Sequence, residues 1–98
     1  LRGEHLLLPG FGENGPTLEI FNYNMMEERV ATAVNRPGFA HIAFSVPDVE
    51  KAQKMVLEAG GHAVGEVVTM QNARGAEVTW CYVTDPEGNI IELQAWSG

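Results

Sequence analysis

Between Phe39 and Val46 apolar and mixed positions alternate. Ala40, Ile42, Phe44 and Val46 fill one parity, and Phe39, His41, Ala43 and Ser45 fill the other. Period two with one apolar face predicts a half-buried strand. At Pro47-Asp48 the period changes. Val49, Ala52, Met55, Val56 and Ala59 fall within a stripe about 120° wide, which predicts a helix with Asp48 as its N-cap. Glu50 and Lys54 sit at i,i+4 on its other side, Leu57 lies off the stripe, and Gly60-Gly61 ends it. Ala63 to Met70 is rich in Val and predicts a second strand, followed by a turn over Gln71 to Gly75. Glu77 to Thr84 predicts a third strand, and Ile90 to Trp96 a fourth. Between them Asp85-Pro86-Glu87-Gly88-Asn89 is a strong turn signal. The order is β-α-β-β-β.

The start of the chain reads like the end of that same unit. Residues 5–8 are a short apolar strand, Pro9 to Pro16 a glycine-rich loop, and Thr17 to Tyr23 a strand. Leu18-Glu19-Ile20 matches Ile91-Glu92-Leu93: apolar, Glu, apolar, shortly after a turn containing Gly. This is a weak internal repeat whose first copy lacks an opening strand and helix. Residues 1–24 are then the C-terminal part of a first module, 25–37 a linker and 38–98 a complete second module, together one domain. A helical turn is expected around Glu27 to Ala33.

Length and composition narrow the class. At 98 residues the chain is one domain, and with 45% apolar residues it is not a disordered tail. No run approaches the ~18 apolar residues of a membrane span. Six basic against thirteen acidic residues argue against nucleic acid, which needs clustered Lys and Arg. Cys81 is the lone cysteine, so no internal disulfide and no Cys-based zinc site forms, and a cytoplasmic, reducing compartment is expected. The chain opens on Leu1 rather than Met, so its natural start is expected further upstream.

Glu19, His41 and Glu92 each interrupt a strand between apolar sequence neighbours, on the parity opposite the apolar one. If the apolar parities pack on helices, all three point to the other sheet face. A bland alternative puts each on an exposed sheet face. Buried charge costs several kcal/mol unless paired or metal-bound, and two carboxylates with an imidazole on one face form a natural divalent-metal set.

Gly38-Phe39-Ala40-His41-Ile42-Ala43-Phe44, Val46-Pro47-Asp48-Val49, Gly60-Gly61 and the run from Tyr82 to Leu93 together resemble the vicinal oxygen chelate superfamily. Gly15 to Phe21 looks like the last strand of its preceding module. Members include glyoxalase I, bleomycin-resistance proteins, fosfomycin-resistance transferases, methylmalonyl-CoA epimerase and extradiol dioxygenases. The resemblance implies an α+β fold in which paired β-α-β-β-β modules form a curved mixed sheet around a metal-holding cleft. The first module is incomplete in this chain. His41 matches the first-strand ligand of the second module, Glu92 its last-strand ligand, and Glu19 the last-strand ligand of the first. By the same analogy some 30–40 residues are expected to precede Leu1, with the fourth ligand position on a strand among them.

Three activities fit this resemblance. The first is a glyoxalase-like, metal-dependent lyase or isomerase acting on a small molecule with vicinal oxygens through an enolate-type intermediate. A divalent ion (Zn, Ni, Mn or Fe) would polarise the substrate, and Glu19 or Glu92 would move the proton. The second is a metal-free binding protein of the bleomycin-resistance type. The third is an iron extradiol dioxygenase using two His and one Glu, which leaves Glu19 without a role. The partner is a small-molecule substrate, and a homodimer is expected from the family.

Pairing Asp85 with Asn89 places Tyr82 across from Glu92. Val78, Trp80 and Tyr82 then line the cleft, or Trp80 and Tyr82 are ordinary core aromatics. His5 has no matching ligand position, His62 is expected exposed, Cys81 buried and inert, and Arg74 a solvated loop residue.

Overall fold

The computed structural model describes residues 1–97. In chain order it contains β1 (Arg2–Leu7), β2 (Thr17–Asn22), β3 (Ile42–Ser45), α1 (Val49–Glu58), β4 (His62–Gln71), β5 (Glu77–Thr84) and β6 (Ile90–Ser97). The fold is α+β, and the chain divides into two compact units, Leu1–Val30 and Ala31 onward. No helix of the described residues is long and apolar enough to cross a membrane.

In the second unit alternation decides which side of the sheet is buried. The four strands run in the order β3-β6-β5-β4. β3 lies parallel to β6, while β6, β5 and β4 are antiparallel neighbours, so the sheet is mixed. Cys81 pairs with Leu93 and Val83 with Ile91 across β5 and β6, and Phe44 of β3 pairs with Leu93. These residues share one face, and α1 covers it. Val49, Cys81, Val83 and Leu93 are buried there, with Phe44, Val46, Ala52, Val56, Val67, Ile91 and Ala95 packed around them.

The helix starts and stops where its sequence signals stand. Asp48 is extended at the N-cap, and its carboxylate accepts the Lys51 backbone N–H at 3.1 Å. Asp48→Ala should cost about 1 kcal/mol of stability, read as a lower urea midpoint at unchanged slope. At the other end Gly60 takes φ +100°, and the Gly61 N–H donates to the Val56 carbonyl at 2.9 Å. Gly61 is buried where any Cβ would collide with the Thr84 carbonyl oxygen and the Val56 side chain, so the chain turns back onto β5 only with glycine there.

The buried arc of α1 differs from the expected stripe. Val49 is buried and Ala52, Gln53 and Val56 are half-buried, whereas Met55 is 63% exposed. The arc is therefore centred on Val49 and Val56, and Met55 stands about 100° from that centre. Four further differences are local. β3 begins at Ile42 rather than Phe39; in register Phe39 and Ala40 would fall opposite Gly88 and Asn89, before β6 begins at Ile90. Ile42, on the apolar parity, is itself exposed. β4 carries an irregularity between Val64 and Val68, where four steps on β4 oppose two on β5 and Gly65 takes φ +77°. Residues 27–33, expected to hold a helical turn, are irregular.

The first unit is a two-stranded antiparallel ribbon. Leu6 pairs with Leu18 on one of its faces, and His5 with Glu19 on the other. Its hairpin closes as the one between β5 and β6 does. The Leu8 N–H donates to the Pro16 carbonyl at 3.0 Å, and the Asp85 N–H to the Asn89 carbonyl at 3.0 Å. Glu19 follows the closing Pro16 by three positions, and Glu92 follows the closing Asn89 by three. Glu19 and Glu92 thus hold the same place relative to their closing pairs.

Candidate functional site

The sheet face opposite α1 carries the polar positions of β6. Glu92, Gln94 and Trp96 alternate with the core residues Ile91, Leu93 and Ala95. Register sets their neighbours: Tyr82 lies across from Glu92, Trp80 from Gln94 and Val78 from Trp96. On the far side of β5, Val64, Val68 and Met70 stand across from Tyr82, Trp80 and Val78. Tyr82 faces Glu92 because the five-residue turn closes Asp85 on Asn89. The Asp85 carboxylate fixes that turn by accepting the Glu87 and Asn89 N–H groups and the Asn89 side-chain amide. Val78, Trp80 and Tyr82 are half-buried, so this face combines an apolar row with one carboxylate.

His41, immediately before β3, reaches that carboxylate. Its Nε2 stands 3.1 Å from Glu92 Oε1, with the two side chains 25% and 16% exposed. The imidazole packs edge-on against the Tyr82 ring at 5.0 Å between centroids. As an Nε2–H tautomer it donates a hydrogen bond to Glu92, and Nδ1 is buried without a partner among the described residues. The second Glu92 oxygen accepts the Gln94 amide N–H at 2.8 Å, and the Trp96 indole N–H donates to Gln94 Oε1 at 2.8 Å.

The donor set suits a hard or borderline divalent cation. Two ligands held at about 2.0–2.2 Å stand roughly 2.8–3.6 Å apart at octahedral to tetrahedral angles, and an imidazole nitrogen with a carboxylate oxygen is a common pair. The His41–Glu92 separation lies inside that window. Among the described residues no three His, Cys, Asp or Glu side chains gather into a metal-sized cluster. Glu19 lies in the ribbon unit, where its Oε1 is 3.2 Å from His5 Nε2 with both side chains more than half exposed.

Two residues that sequence reasoning passed over therefore belong to this description. His5 is the cross-strand partner of Glu19, a position legible by counting inward from the Leu8–Pro16 closure. Gln94 holds the second Glu92 oxygen, and its signal was the polar parity it shares with Glu92. His62 and Arg74 are exposed.

Cys81 sits under the site on the core side, fully buried. Burial, with the Glu92 charge as a lesser cause, pushes its thiol pKa up. A folded-state pKa above the unfolded one means that this stabilisation is complete below the unfolded value and lost as pH rises through the folded one. Stability should thus fall as pH climbs past roughly 8.5, and Cys81→Ala should flatten that alkaline slope in denaturation measured from pH 7 to 10. Native protein should also resist thiol alkylation at neutral pH.

Comparison with known proteins gives a consistent picture. Residues 6–93 match the model of the Glyoxalase/Bleomycin resistance protein/Dioxygenase superfamily. A glyoxalase family protein from Bacillus cereus has a similar structure, with TM-score 0.75, 23% identity, and 96% of this chain and 60% of that one covered. The chain thus spans under two thirds of that protein's length. An integron cassette protein from the mobile metagenome of V. cholerae matches with TM-score 0.55 and 26% identity over 97% of this chain and 77% of its own. No curated protein sequence matches the chain.

Proposed function

The chain belongs to the Glyoxalase/Bleomycin resistance protein/Dioxygenase superfamily, and from that premise we propose that it is a glyoxalase-like lyase or isomerase whose divalent cation is held by His41 and Glu92. The substrate is a small molecule with vicinal oxygens. The approach of His41 Nε2 to Glu92 Oε1 at 3.1 Å, half-buried on the sheet face opposite α1, is the observation that carries this reading.

When bound, the cation supplies Lewis acidity to two neighbouring substrate oxygens. Everything else falls to the chain. Val78, Trp80 and Tyr82 offer half-buried apolar surface beside Glu92, suited to gripping the apolar part of the substrate and excluding water. Glu92 accepts the proton next to the substrate carbonyl and returns it at the adjacent carbon. Glu92 has both oxygens engaged by His41 and Gln94, so its carboxylate is held in place. A homodimer and a cytoplasmic location complete the proposal; reduced, buried Cys81 is compatible with the latter.

Metal analysis of freshly purified protein tests this reading. Near-stoichiometric Zn, Ni, Mn or Fe, or a thermal shift of several degrees on adding one of them, supports it. No bound ion and no shift with any of the four would sink it and leave the metal-free binder. Oxygen uptake with a catechol in the presence of ferrous iron would move the assignment to the dioxygenase branch.

A further inference from the structure

The Gln94 side chain has no place in the ligand set, yet its amide is oriented with unusual definition. An amide can present either its oxygen or its NH2 group to a neighbour, and a half-turn exchanges them. Here Trp96 decides which. An indole N–H can only donate, and it lies 2.8 Å from Gln94 Oε1. The Gln94 nitrogen is then the atom that faces Glu92, 2.8 Å from Oε2. Turning the amide over would set its NH2 against the indole N–H and its oxygen against a carboxylate oxygen, replacing two hydrogen bonds with two repulsions. The three residues stand at i, i+2 and i+4 on one face of β6, so the strand pleat itself lines up the chain.

From this we infer that Trp96 and Gln94 are positioning residues for the metal site: the indole locks the Gln94 amide, and the amide holds Glu92 Oε2 so that Oε1 is presented to the cation beside His41 Nε2. The inference rests on the proposal that Glu92 is a metal ligand. It adds that Glu92 binds through one oxygen, because the other is already committed to Gln94. A carboxylate free to rotate would divide its time between one-oxygen and two-oxygen geometries. Outer-sphere hydrogen bonds of this kind commonly matter 10- to 100-fold in metal affinity. The relay also lies away from the helix-covered core, and Trp96 is 56% exposed, so removing its N–H leaves the packing under α1 untouched.

Titration of the full chain with Co²⁺, followed by its visible d–d absorption, tests the relay. Gln94→Leu should weaken Co²⁺ binding by about 10- to 100-fold and alter the band shape, while the melting temperature of the metal-free protein stays within a few degrees. Trp96→Phe keeps the ring and loses only the donor; it should weaken binding roughly threefold. In the Gln94→Leu background Trp96→Phe should add nothing, because there is no amide left to lock. Wild-type affinity and bands in Gln94→Leu, with binding lost in Glu92→Gln, would overturn the relay and leave the ligand assignment standing. Full additivity of the two substitutions would also overturn it. If Glu92→Gln itself binds Co²⁺ as wild type does, the ligand assignment fails and the relay fails with it.

Discussion

Leu93→Ala is expected to lower stability by about 3 kcal/mol, a large share of what a chain of this size has. Leu93 is 5% exposed at the centre of the helix-covered face. It stands between Cys81 of β5 and Phe44 of β3 in register, so two strand neighbours lose a packing partner at once. Truncation leaves a cavity that α1 can fill only by sinking toward the sheet, and Val83 and Val49 already occupy that layer. Met55→Ala on the outer side of the same helix is the matched control. At 63% exposure it should change stability by less than about 0.5 kcal/mol, although both side chains are large and apolar. Chemical denaturation of the two variants beside wild type measures both effects. Because Leu93 lies between Glu92 and Gln94 in sequence, its loss should also loosen the site face.

Glu92→Gln is expected to act in the opposite sense, leaving the fold almost intact and removing function. The substitution keeps the shape of the side chain and its place across from Tyr82. It discards the charge and one acceptor, and it sets an amide where His41 and Gln94 both expect an oxygen. Divalent-ion affinity should fall roughly 100-fold or more, beyond what outer-sphere changes cost, with stability altered by only about 1 kcal/mol. Isothermal titration with Ni²⁺ and parallel thermal melts separate the two quantities. A stability loss without an affinity loss would assign the His41–Glu92 pair a purely structural role.

Much of the second unit is legible in the sequence alone. Asp48 before an apolar period of 3.6, Gly60-Gly61 after it, and Asp85 to Asn89 between two alternating runs are local signals, and local hydrogen bonds satisfy them. The pairing of Tyr82 with Glu92 followed from the turn alone. The α+β class and the family followed from the same stretches. What failed depended on partners distant in sequence. Met55 sits inside a plausible apolar stripe, and only the seating of α1 on the sheet shows that the arc is rotated away from it. His41 reads as mid-strand, yet the ladder between β3 and β6 begins only at Ile42.

The site itself was legible unevenly. Glu92 and His41 stood out because charged or titratable groups between apolar neighbours are costly to place at random. Gln94 and Trp96 did not, since an amide and a late-strand tryptophan are ordinary residues until their hydrogen bonds are seen. His5 matches no ligand position of the family, and its pairing with Glu19 depends on the closure of Leu8 on Pro16, which no local residue pattern marks.

The central claim is that His41 and Glu92 approach each other to share a cation. Anomalous diffraction from a crystal of the protein soaked in Ni²⁺ tests it most directly. The account predicts one strong peak at about 2.0–2.2 Å from both His41 Nε2 and Glu92 Oε1. A nickel peak elsewhere, with the imidazole still hydrogen-bonded to Glu92 and no metal between them, would contradict it.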